Sequence, residues 1–173
     1  MNEKTKVKIT NTYTQLNSKM FSIIEPYKRG DIHLEIYNDE LSKELEFDHL
    51  FSDYEDKLSF LSGSNNVFGD LFSQAYAGHQ YGHFTNLGDG RAVILGELLT
   101  SKGSRFDIQL KGSGRTPYSR SGDGLGTLSS MLREFLISEA MHYLNIPTTR
   151  SLAVLSTNQH IQRHEKEKAA ILS

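Results

Sequence analysis

The sequence predicts an α+β domain in which an antiparallel hairpin, bracketed by glycine turns, meets one long helix. Three observations carry that prediction. Three Gly-x-Gly pairs fall close together, at Gly88/Gly90, Gly112/Gly114 and Gly122/Gly124. Two strand-like runs lie between the first two pairs, and a helical apolar period follows the third.

Residues 1–75 are the least informative part. Asn38 followed by Asp39-Glu40-Leu41 and then Leu45 reads as a capped amphipathic helix with acids in its first turn. Ser62-Gly63-Ser64-Asn65-Asn66 reads as a loop, and Phe68, Leu71 and Phe72 as one apolar patch docking onto the downstream domain. The expectation is an N-terminal helical extension over 1–75 and the main domain over 76–173. Residues 91–99 are rich in branched apolar side chains and sit between the Asp89-Gly90 turn and a Ser-Lys-Gly-Ser turn at 101–104, which predicts a strand. Residues 106–111 alternate, with Phe106, Ile108 and Leu110 on one face and Asp107, Gln109 and Lys111 on the other. A hairpin centred on Lys102 then sets Lys111 opposite Val93, within a residue, beside Gly88-Asp89-Gly90. From 127 to 144, Leu128, Leu132, Leu136, Ala140 and Leu144 recur at steps of four with Met131 and Phe135 alongside, a helix expected to stop at Asn145-Ile146-Pro147. Residues 169–173 read as a further strand.

The glycines and Lys111 suggest a phosphate grip. Glycine lets backbone N–H groups approach an anion without a Cβ in the way, and a lysine supplies a mobile positive charge. Neither standard nucleotide motif fits: there is no G-x-x-x-x-G-K-[ST], and Val93 stands where the dinucleotide fingerprint needs its third glycine. Glu134 has Met131, Ile137 and Met141 at −3, +3 and +7, so its carboxylate projects from a partly apolar stripe and wants a cation. Lys111 is the best-placed one. Plainer readings stand beside these: Lys111 as a solvated strand end, Glu134 paired with Arg133, Asp89-Gly90 as an ordinary hairpin turn. His79/His83 and His160/His164 are each four apart, but without a third ligand at motif spacing they read as structural or surface residues. In Thr116-Pro117-Tyr118-Ser119-Arg120 no His-Asp partner activates Ser119, so these residues are expected to shape the loop.

Composition sets limits. At 173 residues and 37% hydrophobic, the chain makes one core or a core with an appendage. A net charge of −2 argues against nucleic acid as a partner. The absence of cysteine excludes disulfides and thiolate metal sites within the chain. Neither a secretion-signal pattern nor a stretch of membrane-span length is present, so no membrane association and a cytoplasmic location are expected.

A glycine-turned hairpin, a strand lysine and a helix glutamate paired to it are parts of a protein-kinase N-lobe. The runs YAGHQYGHF (76–84), LGDGRAVILGE (87–97), DIQLKGSGRTPYSRSGDG (107–124) and LREFLISEAMHYLNIPTTRSLAV (132–154) closely resemble the selenoprotein O, or YdiU, family of protein adenylyltransferases, which are pseudokinases. The resemblance implies a kinase-like N-lobe with an antiparallel sheet and one main helix. It also implies ATP bound in inverted orientation, and transfer of AMP to Ser, Thr or Tyr hydroxyls of protein substrates, with UTP as a further donor. Position by position, Gly88, Gly90 and Arg91 match the glycine-loop nucleotide contacts and Lys111 the phosphate-binding lysine. Asp123 and Gly124 match the second loop contact, and Glu134 the helix partner of the lysine. The family's catalytic base, and the Asn and Asp that hold Mg2+ or Mn2+, belong to a C-lobe expected after Ser173, so no catalytic or metal residue is assigned within this chain. Leu125-Gly126 departs from the Arg-Ala that many relatives carry. The alternative is a non-catalytic nucleotide-binding fragment or an interaction module. A lobe without its partner is also expected to expose an apolar face.

Overall fold

The computed structural model describes residues 7–25, 30–64, 68–80 and 82–173. Strands β1 (Lys8–Thr10), β2 (Phe21–Ile24) and β3 (Ile32–Tyr37) precede two short helices, α1 (Asp39–Leu45) and α2 (Tyr54–Leu61). Then come β4 (Leu71–Gln74), β5 (Ala77–Gln80), β6 (His83–Asn86), β7 (Ala92–Leu99), β8 (Arg105–Lys111) and β9 (Gly126–Thr127). The long helix α3 (Leu128–Tyr143) leads to the hairpin of β10 (Ala153–Gln162) and β11 (Lys166–Leu172). One antiparallel sheet runs β2-β4-β7-β8-β11-β10-β3, with β1 also on β7 and β9 on β11, while β5 and β6 pair only with each other.

Side-chain alternation distributes the layers. On β10, Ala153 and Leu155 point into the larger core with Leu41, Leu45, Phe47 and Phe60, whereas Val154 points to the other face and meets Met131 of α3. On β11, Ile171 joins the first set, and Ala170 and Leu172 the second. The same period on β8 puts Ile108 and Leu110 in the larger core, leaving Lys111 on the α3 side. Helices α1 and α2 thus cover one face and α3 the other.

Local chemistry explains the element ends. Asn38 caps α1, its side chain accepting from the Leu41 N–H at 3.0 Å. Thr127 caps α3 by accepting from the Ser130 N–H. Pro147 is not what stops α3: Asn145 turns left-handed at φ 58°, its N–H donates to His142 O at 2.9 Å, and the Ile146 N–H donates to Met141 O at 3.0 Å. The β7–β8 hairpin pairs Leu99 with Arg105, as a turn centred on Lys102 requires. A bulge between Ile94 and Gly96 then slips the register by one, so Lys111 faces Ala92 rather than Val93.

Several expectations change. The N-terminal part is not simply helical, since residues 8–74 supply four strands to the shared sheet besides α1 and α2. Phe68, Leu71 and Phe72 do not form one patch. Phe68 joins an aromatic cluster with Phe51 and Phe60, while Leu71 and Phe72 alternate along β4, where Phe72 stacks on Tyr13 at 5.2 Å. Asp89-Gly90 is not a hairpin turn, because β6 pairs with β5 and β7 belongs to the main sheet. Along α3, Met131, Ser138 and Glu139 are buried, whereas Leu136, Ile137 and Leu144 are 68%, 56% and 69% exposed, so much of the leucine stripe faces outward. Phe106 at the hairpin end is exposed as well. Asn65 and Asn66 of the expected loop, Tyr81 of the run at 76–84, and residues 1–6 lie outside the described residues. Among the described residues, no helix is long and apolar enough to cross a membrane.

Candidate nucleotide site

An open cleft of about 1350 Å³ lies between the glycine turns, the end of β8 and α3. Gly88, Gly90, Arg91, Lys111, Asp123, Gly124 and Glu134, all selected from the sequence, line it. Its size exceeds the roughly 300–1,000 Å³ usual for a small-molecule pocket.

Lys111 ends β8, where the Gly112 N–H donates to Arg91 O at 2.9 Å and ties the lysine strand to the first glycine turn. Its Nζ forms an ion pair with Glu134 Oε1 from the second turn of α3. The two side chains are 33% and 37% exposed, so the pair is not the buried one that the apolar stripe suggested. Partly solvated pairs contribute little to stability. Its consequence is orientation: the ammonium is held at the cleft with its position set by the helix.

The first glycine turn is held from three sides. Asp89 is buried and its carboxylate accepts from the Gln74 N–H at 3.0 Å. Burial pushes its pKa above the ordinary Asp value, although the hydrogen bonds from Gln74 and Tyr76 work the other way. Thr116 Oγ1 donates to Asp89 O at 2.6 Å, and Ser119 Oγ donates to Gly90 O. The hydroxyls of the 116–119 loop therefore shape the turn, as expected. Gly88 has φ 79°, and a Cβ there would stand 2.7 Å from the Tyr118 ring and 2.8 Å from Gln74 O.

The second glycine loop is bolted to the middle pair: the Gly114 N–H donates to Gly124 O at 3.1 Å, and Ser113 bridges Leu125. Gly124, at φ 71°, packs so closely on Gly114 that a Cβ would overlap its carbonyl. Gly112 and Gly114 are thus not part of the cleft wall but its backing. Asp123 is engaged by a guanidinium, with Arg163 Nη1 and Nη2 each donating to it at 2.8 Å. That pairing holds the Asp123 carboxyl below its ordinary value. Sequence reading missed Arg163, which comes from the β10–β11 turn with no local pattern linking it to Asp123.

Another missed feature holds α3 itself. Glu139 is buried and accepts from Arg150 Nε and Nη2 at 2.8 and 2.7 Å, from Asn38 Nδ2 at 2.7 Å and from the Ser151 N–H at 3.2 Å. Burial works to raise its pKa but is outweighed by these donors, Arg150 foremost, which hold it below the ordinary Glu value. The histidine pairs form no metal site: His79 lies on β5 edge-on to Phe84, and His160 lies on β10. Among the described residues, no group of three His, Asp or Glu is placed to hold a metal ion.

A family model described as protein adenylyltransferase SelO matches residues 3–173. The chain is 53% identical over 167 residues to a protein nucleotidyltransferase YdiU of Clostridium botulinum (strain Alaska E43 / Type E3), covering 95% of this chain and 34% of that protein. The protein of the same name from Halalkalibacterium halodurans is 53% identical over 162 residues, covering 93% of this chain and 33% of the relative. For Brevibacillus brevis the figures are 51% over 164 residues, 94% and 33%. The chain thus spans about a third of the length of the curated relatives it matches.

Proposed function

The chain belongs to the protein adenylyltransferase SelO family, and on that premise we propose that it is the nucleotide-binding part of an enzyme that transfers AMP from ATP to Ser, Thr or Tyr hydroxyls of proteins. UTP is a second donor on this reading. The observation that carries it is the Lys111–Glu134 pair, set on a cleft walled by two glycine turns. A strand lysine held by a helix glutamate is the arrangement that protein kinases use to grip nucleotide phosphates. It supports a kinase-like lobe over residues 76–173, with 1–75 as an N-terminal extension sharing its sheet.

Each residue has a role in this account. Lys111 neutralises phosphate charge and Glu134 orients it. Gly88, Gly90 and Arg91 hold the nucleotide from one turn, and Asp123 and Gly124 from the other. The protein hydroxyl oxygen attacks the α-phosphorus, the bond to the β-phosphate oxygen breaks, and pyrophosphate leaves. The base that takes the hydroxyl proton, and the residues for Mg2+ or Mn2+, come from the portion of the relatives' length beyond this chain. Preorganised charge and position, rather than a covalent intermediate, lower the barrier.

Incubating the full-length gene product with α-labelled ATP and a protein acceptor tests the proposal. Wild type is expected to label the acceptor from α-labelled but not γ-labelled ATP, and Lys111→Ala to lower transfer at least about 100-fold. Undiminished transfer by Lys111→Ala would remove the assignment. ATP binding with no labelling would favour the non-catalytic nucleotide-binding module.

A further inference from the structure

Among the described residues, five Lys and Arg side chains line the cleft: Arg91, Lys111, Arg120, Arg150 and Arg163. Three are already paired, Lys111 with Glu134, Arg150 with Glu139 and Glu44, and Arg163 with Asp123. Among the described residues, Arg91 and Arg120 have no acidic partner. Recruiting a paired cation to an anion means breaking or sharing an ion pair, whereas an unpaired guanidinium offers its whole donor fork, which matches the spacing of phosphate oxygens.

Arg120 is also held in a conformation that needs support. Its φ is 54°, in the left-handed region that a side chain with a Cβ occupies at a cost. Arg115 Nη2 donates to the Arg120 carbonyl at 2.9 Å, and the next turn closes with the Gly122 N–H on Ser119 O at 2.9 Å. The preceding residues fasten the loop to the first glycine turn through Thr116 and Ser119, and Tyr118 Oη meets Ser22 Oγ on β2 at 3.0 Å. Glycine would fit this position without strain, so the arginine side chain stands here at a backbone cost that a contact made by its guanidinium would offset.

We propose that Arg120 is a nucleotide-phosphate contact. With Arg91 it takes the negative charge that Lys111, shared with Glu134, leaves unbalanced on a bound nucleoside triphosphate. The inference rests on the nucleotide reading of this cleft and adds a residue to it.

Calorimetric titration of the full-length gene product with ATP and, separately, with adenosine tests it, using Arg120→Gly and Arg120→Lys. Arg120→Gly relieves the backbone, so its nucleotide-free melting temperature should equal or exceed that of wild type. Its Kd for ATP should rise roughly 10- to 100-fold, the worth of one or two charge-assisted hydrogen bonds, while its Kd for adenosine stays unchanged. Arg120→Lys should fall between, keeping charge but losing the fork. Equal ATP affinity in Arg120→Gly and wild type would overturn the inference, and so would a matching loss for adenosine. Wild type that binds no ATP would overturn the nucleotide reading and this inference with it, an outcome distinct from either.

Discussion

Replacing Glu139 with alanine should destabilise the protein by about 3 kcal/mol. The figure rests on the bonds that the carboxylate holds. It accepts two hydrogen bonds from Arg150, one from Asn38 and one from the Ser151 backbone, while itself nearly buried. Removing one partner of a buried pair costs roughly 3–5 kcal/mol, because the remaining charge stays desolvated. Here the Arg150 side chain is 16% exposed and keeps Glu44 at 3.6 Å, so the lower end applies. For a domain of this size the loss corresponds to a fall of about 6–12 °C in Tm. Urea denaturation with linear extrapolation is the assay, with Glu139→Gln as the shape-matched control. The pH dependence gives an independent readout. The folded-state pKa of Glu139 lies below its ordinary 4.5, so its contribution is complete above that value and is lost as pH falls through the folded value. The stability gap between wild type and Glu139→Gln should therefore narrow as the pH falls below the ordinary Glu value of 4.5 and close once it has passed the lower folded-state value. A cost under about 1 kcal/mol for Glu139→Ala, or a gap that persists unchanged into acid, would refute the reasoning that this network anchors α3.

Two further perturbations test other parts of the fold. Gly88→Ala drives a Cβ against the Tyr118 ring and Gln74 O at a positive φ. It should cost about 2–4 kcal/mol in thermal unfolding, and a change within about 0.5 kcal/mol would mean that the turn relaxes freely. Phe47 is fully buried and meets Phe51 and Phe60 at centroid distances of 5.0 and 6.0 Å. Phe47→Ala should cost about 3–5 kcal/mol by chemical denaturation, and because the side chain lies on the face away from α3, the ATP affinity of the folded fraction should not change.

The features legible in the sequence were those encoded within one or two turns of chain. The β7–β8 hairpin follows from apolar alternation and a turn centred on Lys102, and α3 from its period. Together they bring Lys111 and Glu134 into reach of one another. Asn38 was readable as a cap because its hydrogen bond spans three residues. The one-residue slip at the Ile94–Gly96 bulge was not, because a bulge answers to strand twist and neighbouring strands rather than to composition.

By itself, then, the sequence determined the β7–β8 hairpin, α3, the Asn38 cap and the candidate lysine and glutamate, since these depend on propensities and short-range spacing. Only the tertiary structure decided which stripe of α3 is buried, because a helix with two apolar faces does not say which of them meets the sheet. It also decided that residues 8–74 enter the sheet, and that Asp123 pairs with Arg163 and Glu139 with Arg150. Those pairings span 40 and 11 residues with no helical or strand period to link the partners, and the free energy that selects them comes from desolvation and packing, which exist only once the layers have assembled.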